Sequence, residues 1–183
     1  MDSQSVSYIL ELMQLAVRGG TSRDAIEKFV LMLRKEFVFD NVAVYLQDGS
    51  TQMLEVAYAR AIGRSKNAEA DAAWGDQFAG QVVKKGKLLL QDPMPDVPSD
   101  DRLHQAYLLG LPLRVGGDLK GATVFVRFGG PVYEAEHIAI ASLATEMLSI
   151  LFERVTWLEL QEELQDLRRQ MQLQEGFVST ISH

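Results

Sequence analysis

The sequence contains no cysteine. That excludes disulfides, thiolate metal sites and thiol chemistry, and it fits a reducing compartment, so a cytoplasmic location is expected. Positive charge is also scarce, with 18 Lys and Arg against 25 Asp and Glu, a net charge of −7. Its largest clusters are adjacent pairs such as Lys84-Lys85 and Arg168-Arg169, so no nucleic-acid surface is expected, because phosphate binding needs clustered cations. No run approaches the roughly 18–20 apolar residues of a membrane span, and the N-terminus lacks a basic segment followed by an apolar one. There are three histidines, His104, His137 and His183. With none close to another in sequence and no thiolate, no metal or haem site is expected.

Proline is absent from the last fifty residues, Glu134 to His183, and glycine occurs there once, as Gly176. Such a run predicts one helix about 75 Å long at about 1.5 Å per residue, longer than a globular core requires. Its seam, at alternating spacings of three and four, is Ile150, Glu153, Trp157, Leu160, Leu164, Leu167, Met171, Gln174, Val178 and Ile181. A period of 3.5 is what a supercoiled partner helix requires, so the spacing predicts a parallel homodimeric coiled coil. With Leu164 at position a, Glu163 at g and Arg168 at the following e face each other across chains, and His183 falls at f, turned away from the seam. The polar Glu153 and Gln174 either specify register or permit alternative registers. A second stripe, Leu148, Leu151, Val155 and Leu158, overlaps the first and predicts that the helix changes partners there.

The remaining chain reads as one globular domain with a short helix before it, at residues 1–20. Thr21 and Asp24 suggest a capping box for a helix to about Phe37, with Ile26, Phe29, Val30 and Leu33 inward. Asn41–Leu46 and Met53–Arg60 form a hairpin across Gln47-Asp48-Gly49-Ser50. Residues 61–76 are a long connection or a short helix. Phe78, Val82 and Val83 mark a helix ended by Gly86, and Leu88–Leu90 reads as a buried strand. Residues 92–101 hold three of the five prolines and read as loop, followed by one or two helical turns from Arg102. Leu109, Leu111 and Leu113 alternate along a strand in which Pro112 implies an edge or a bulge. Gly116-Gly117-Asp118 turns into a strand over Lys120–Phe128, and His137 is expected at the surface of the long helix. The order predicts an α+β fold, an antiparallel sheet with helices packed on it.

Three stretches, Phe39–Leu46, Gly80–Asp92 and Leu111–Ala122, resemble a GAF domain, covering residues 21–155. GAF domains are sensing modules often placed before histidine kinase cores. The terminal Phe177-Val178-Ser179-Thr180-Ile181-Ser182-His183 resembles the phosphoacceptor H-box of sensor histidine kinases, normally continued by Glu-Leu-Arg-Thr-Pro. Residues 156–183 would then be a signalling helix, and the whole a signal-input and dimerisation segment of a two-component kinase. The resemblance implies that His183 is phosphorylated from ATP, its exposed neutral imidazole attacking the γ-phosphate. ATP and Mg²⁺ belong to a catalytic domain that this segment does not contain, so the segment alone is expected to be inactive, and a response regulator is the implied downstream partner. The alternative is a stand-alone GAF-type dimerisation module with no ligand and no kinase role.

The family's ligand lies between the sheet and its covering segments, which here are residues 61–76 and 91–107. This implies Arg64, Trp74, Phe78, Arg102, His104 and Tyr107 as pocket candidates for an unknown small molecule, although Trp74 and Phe78, four apart, read first as lid packing. The lack of cysteine excludes thioether-linked bilin and the cysteine-based methionine sulfoxide reductase chemistry of some GAF proteins. The Asn-Lys-x-Phe-Asp-Glu pattern of cyclic-nucleotide-binding members does not occur.

Overall fold

A computed structural model describes residues 22–62, 75–94 and 102–181, with 7, 10, 11 and 14 also helical. In chain order come α1 (Ser22–Glu36), β1 (Asn41–Gln47), β2 (Leu54–Ala61), α2 (Asp76–Lys85), β3 (Leu89–Gln91), a 3-10 turn (Arg102–Gln105), β4 (Tyr107–Val115), β5 (Asp118–Arg127) and α3 (Ala135–Ile181). The strands form one antiparallel sheet in the order β2-β1-β5-β4-β3. The expected α+β architecture is therefore present.

The two faces of the sheet follow from the two-residue period of its strands. Val42 and Val44 of β1, Leu109, Leu111 and Leu113 of β4, and Phe125 of β5 point to one side. There they meet Ile26, Phe29, Val30 and Leu33 of α1 and Ala141, Ala144, Leu148, Leu151 and Phe152 of α3. Burying each large side chain of this layer contributes about 1.5–3 kcal/mol. Ala43, Tyr45, Leu108, Ala122, Val124 and Val126 point to the other side, where α2 brings Phe78, Ala79 and Val82. Gly110 makes that close approach possible. A Cβ there would lie 2.4 Å from Val82 Cγ2 and 2.8 Å from Phe78 Cε1, distances no real side chain tolerates.

The ends of the elements follow local chemistry. Gly86 closes α2 in the left-handed region at φ 60, and its N–H donates to the Val82 carbonyl at 2.8 Å. In the β1–β2 turn Asp48 Oδ1 accepts from the Ser50 and Thr51 N–H groups at 3.0 and 2.7 Å and from both hydroxyls. These four donors hold the Asp48 carboxyl far below the usual carboxylate range, the Ser50 hydroxyl first among them.

One strand expectation needs correction, and of the two offered for Pro112 the bulge is the one found. Leu88–Leu90 is not a buried strand; β3 is a three-residue edge strand whose partner among the described residues is β4, and Leu90 is exposed. Conversely, the strand containing Pro112 is not at the edge of the sheet. Pro112 pairs with Ala122 on β5 but lies beyond the reach of β3, whose pairing ends at Gly110, so no ladder bond is lost on that side. The bulge lies next to it, between Leu113 and Arg114.

Candidate functional site

The sensing face and the emerging helix are the two places where function was expected. On the sensing face, α2 enters at Gly75, whose φ of 86 lets the backbone lie against Val124. The Tyr45 hydroxyl donates to Asp76 Oδ1, tying the start of α2 to the centre of the sheet. Burial, and then the bond to Asp76, push the Tyr45 hydroxyl far above its ordinary range, so it stays protonated under physiological conditions. Asp76 also lies in the first turn of α2, where a carboxylate complements the helix dipole.

Of the pocket candidates among the described residues, Phe78 and Tyr107 lie on opposite faces of the sheet. Phe78 is 6% exposed and fills the space above Gly110, so it acts as packing. Tyr107 points to the opposite face, because it is in phase with Leu109 and Leu111, and it meets the α1/α3 layer. These two residues cannot line one cavity. His104 lies in the 3-10 turn on the α2 side, half-buried, its carbonyl accepting from Met94 N–H at 2.6 Å. Its Nδ1 is buried without a partner among the described residues. Arg102 begins the same turn, while Arg64 and Trp74 lie outside the described residues. No group of three metal-ligating side chains occurs among the described residues.

Sequence reasoning missed a cation cage on the opposite face. Arg127, 4% exposed at the end of β5, lies 4.5 Å from the Tyr133 ring and 5.4 Å from the Tyr107 ring. Its Nε and Nη2 and the Tyr133 hydroxyl are buried without hydrogen-bond partners among the described residues, and the two ring faces offer the guanidinium a cation–π contact. Burial pushes the Tyr133 hydroxyl well up, opposed by Arg127. Phe37 packs on Tyr133 at 5.5 Å and edge-on to Phe125 at 5.0 Å. His137 borders this cluster and is half-buried, its ring packed towards Phe37 and Tyr133. Its Nδ1 accepts the Glu134 N–H at 3.0 Å, which caps α3 and leaves Nε2 to carry the proton of the neutral ring. The available signal was the alternation that puts Arg127 in phase with Phe125.

The emerging helix carries the second site. Leu148 and Leu151 are buried against the sheet, Val155 is half-buried and Leu158 is exposed, so the second stripe leaves the domain where the overlap predicted a change of partner. Beyond it the seam residues Trp157 (67%), Leu160 (56%), Leu164 (49%), Leu167 (58%) and Met171 (57%) are all exposed. Val178 and Ile181 lie in α3, but the described side chains end at Gln174, and His183 lies outside the described residues. Glu153 accepts the Gly116 N–H, linking the helix to the β4–β5 turn. Directly beside that bond is an open, mainly apolar groove of about 350 Å³, bounded by Val115 and Gly116 of the turn and by α3 from Glu153 to Leu164. No described helix is long and apolar enough to cross a membrane.

Neither a protein-family profile nor a curated protein sequence matches the chain. Solved structures do match it. The GAF domain of an Acinetobacter phosphoenolpyruvate-protein phosphotransferase aligns with a TM-score of 0.63 at 12% identity, over 82% of this chain and 94% of that one. The free methionine-R-sulfoxide reductase of Neisseria meningitidis, in complex with its substrate, aligns at 0.60 and 16% identity, over 86% and 95%. The GAF domain of a two-component sensor histidine kinase from Bacillus halodurans aligns at 0.55 and 13% identity, over 76% and 99%. Identities this low speak to architecture and not to chemistry. The chain has the GAF-like α+β fold, extended by a long C-terminal helix.

Proposed function

We propose that this chain is the signal-input and dimerisation segment of a two-component sensor histidine kinase. In this reading α3 pairs in parallel with the same helix of a second copy, and the GAF-like domain biases that pair between two arrangements. His183, at the outward position of the coil, receives phosphate from ATP bound in the parent protein's kinase domain and passes it to a response regulator in the cytoplasm. The observation that carries the reading is the apolar face from Trp157 to Met171, left open on a helix that has already left its own core. An exposed apolar row of this length is stable in water when a partner covers it. The sequence Phe177–His183 and the fold shared with the GAF domain of the Bacillus sensor kinase add support.

The test uses the parent protein incubated with γ-labelled ATP. Acid-labile, alkali-stable label that disappears in His183→Gln supports the assignment, and label unaffected by that substitution refutes it. A second reading, a dimerisation module with no ligand, is favoured by Phe78 and Val82 filling the space between α2 and the sheet. Mass spectrometry of protein purified under native conditions separates the two, since a stoichiometric small molecule contradicts the ligand-free reading.

A further inference from the structure

The groove beside Glu153 has a lining that the heptad frame explains. In a parallel two-stranded coil an a-position knob enters a hole formed by the facing residues four before, one before, level with and three after it. For Trp157 those are Glu153, Thr156, Trp157 and Leu160. The next knob, Leu160 at d, enters the hole of Trp157, Leu160, Gln161 and Leu164. Together the two holes comprise six residues, and these are the six residues that α3 contributes to the groove. The remaining wall, Val115 and Gly116, comes from the β4–β5 turn of the sheet.

We infer that this groove is the seat of a second copy's Trp157 and Leu160, and that the β4–β5 turn is therefore part of the dimer interface. The inference rests on the parallel pairing proposed above. Three further observations favour a second copy as occupant. The g and e positions bordering the groove are the uncharged Thr156 and Gln161, so these flanking positions bring no like charges together. Trp157 is a large aromatic anchor left two-thirds exposed, the type of side chain that dominates buried interfaces. Glu153, which would oppose its own counterpart at a d position, is instead engaged by the Gly116 N–H. That bond draws the carboxylate towards the turn and joins the packing of the coil to the end of two central strands. Movement of the β4–β5 turn is thereby felt at the first layers of the coil.

The chain has no cysteine and two tryptophans, Trp74 and Trp157, which permits a direct test. One chain carries Trp74→Phe, leaving Trp157 as its sole emitter. The other carries Trp74→Phe, Trp157→Phe and Val115→Cys bearing a nitroxide, which quenches only near contact. Mixing the two, with the labelled chain in excess, is expected to remove most of the Trp157 emission, while a nitroxide on Lys28→Cys, exposed on α1, leaves it intact. Unchanged emission in a mixture that sediments as a dimer, and in which Trp157→Cys forms a cross-chain disulfide, overturns the inference and leaves parallel pairing standing. A chain that stays monomeric at high concentration overturns both. A blue-shifted Trp157 emission that persists at dilutions where the chain sediments as a monomer assigns the groove to a small apolar ligand and likewise overturns the inference.

Discussion

The two halves of α3 share one backbone geometry and differ in everything the side chains meet. From Ala135 to Phe152 the helix contains two acidic residues, Glu136 and Glu146, and presents small residues inward. Ala141, Ala144, Thr145 and Ser149 are buried and let it lie close to α1 and β4. The Ser149 hydroxyl donates to the Arg114 carbonyl, and Thr145 donates to the Ala141 carbonyl at 2.9 Å. From Thr156 to Gln174 the small inward residues are gone, large apolar side chains stand exposed, and charged or amide residues fill most of the other faces, Leu158 and Leu173 excepted. A helix that packs on a sheet needs close approach, whereas one that pairs with a copy of itself needs knobs. The composition changes where the helix leaves its own domain, and the Glu153 bond to the β4–β5 turn marks the boundary.

The contrast can be broken most strongly in the proximal half. Leu148→Ala removes a fully buried side chain and is expected to cost about 2–5 kcal/mol, read as a lowered urea midpoint. Leu164→Ala, measured where the protein is monomeric, should stay within about 0.5 kcal/mol of the parent chain. Equal losses at the two positions would mean that the distal half packs on its own domain. Next in size, Gly110→Ala forces a methyl into Val82 and Phe78 and is expected to cost about 1–3 kcal/mol by thermal melting. That loss should leave self-association unchanged, separating the packing of the sheet from the pairing of the coil.

Smaller effects are set by pH. The Tyr45 hydroxyl titrates higher in the folded chain than in the unfolded chain, so its contribution is fully present below about pH 10 and is lost as pH rises beyond it. Tyr45→Phe is expected to cost about 1 kcal/mol at neutral pH, and the gap to the parent chain should narrow in alkali. Asp48 has the opposite sign. Its folded carboxyl titrates lower than the unfolded one, so its contribution is present above about pH 4 and is lost as pH falls towards the folded value. Asp48→Ala should therefore melt lower than the parent at neutral pH, with the difference closing in acid. A difference that grows in acid would refute the turn geometry.

Elements with a strong period were legible in the sequence. The inward face of α1, the first hairpin, the Gly86 stop and the span of α3 needed no knowledge of tertiary contacts. What needed strand order was not legible. Leu88–Leu90 is apolar enough for a central strand, and only the topology puts it at the edge. Tyr107 was assigned to the sensing side because it adjoins a covering segment, yet its phase with Leu109 already implied the other face. The Arg127 cage depends on the cross-strand register Tyr107 to Arg127 and on the return of the chain at Tyr133, contacts no local pattern encodes. The exposed apolar row of α3 was legible because a 3.5-residue repeat in one helix is local, and under the proposed function it reports a neighbour outside the chain.

The most direct test of that neighbour is oxidative cross-linking of Leu164→Cys, the sole thiol in its chain, beside Glu162→Cys at the outward f position. Parallel, in-register pairing predicts a covalent dimer from the first variant and none from the second under the same conditions. A Leu164→Cys chain that remains uncrosslinked at a concentration where it sediments as a dimer would contradict parallel pairing, and a monomer by sedimentation would contradict the coil itself.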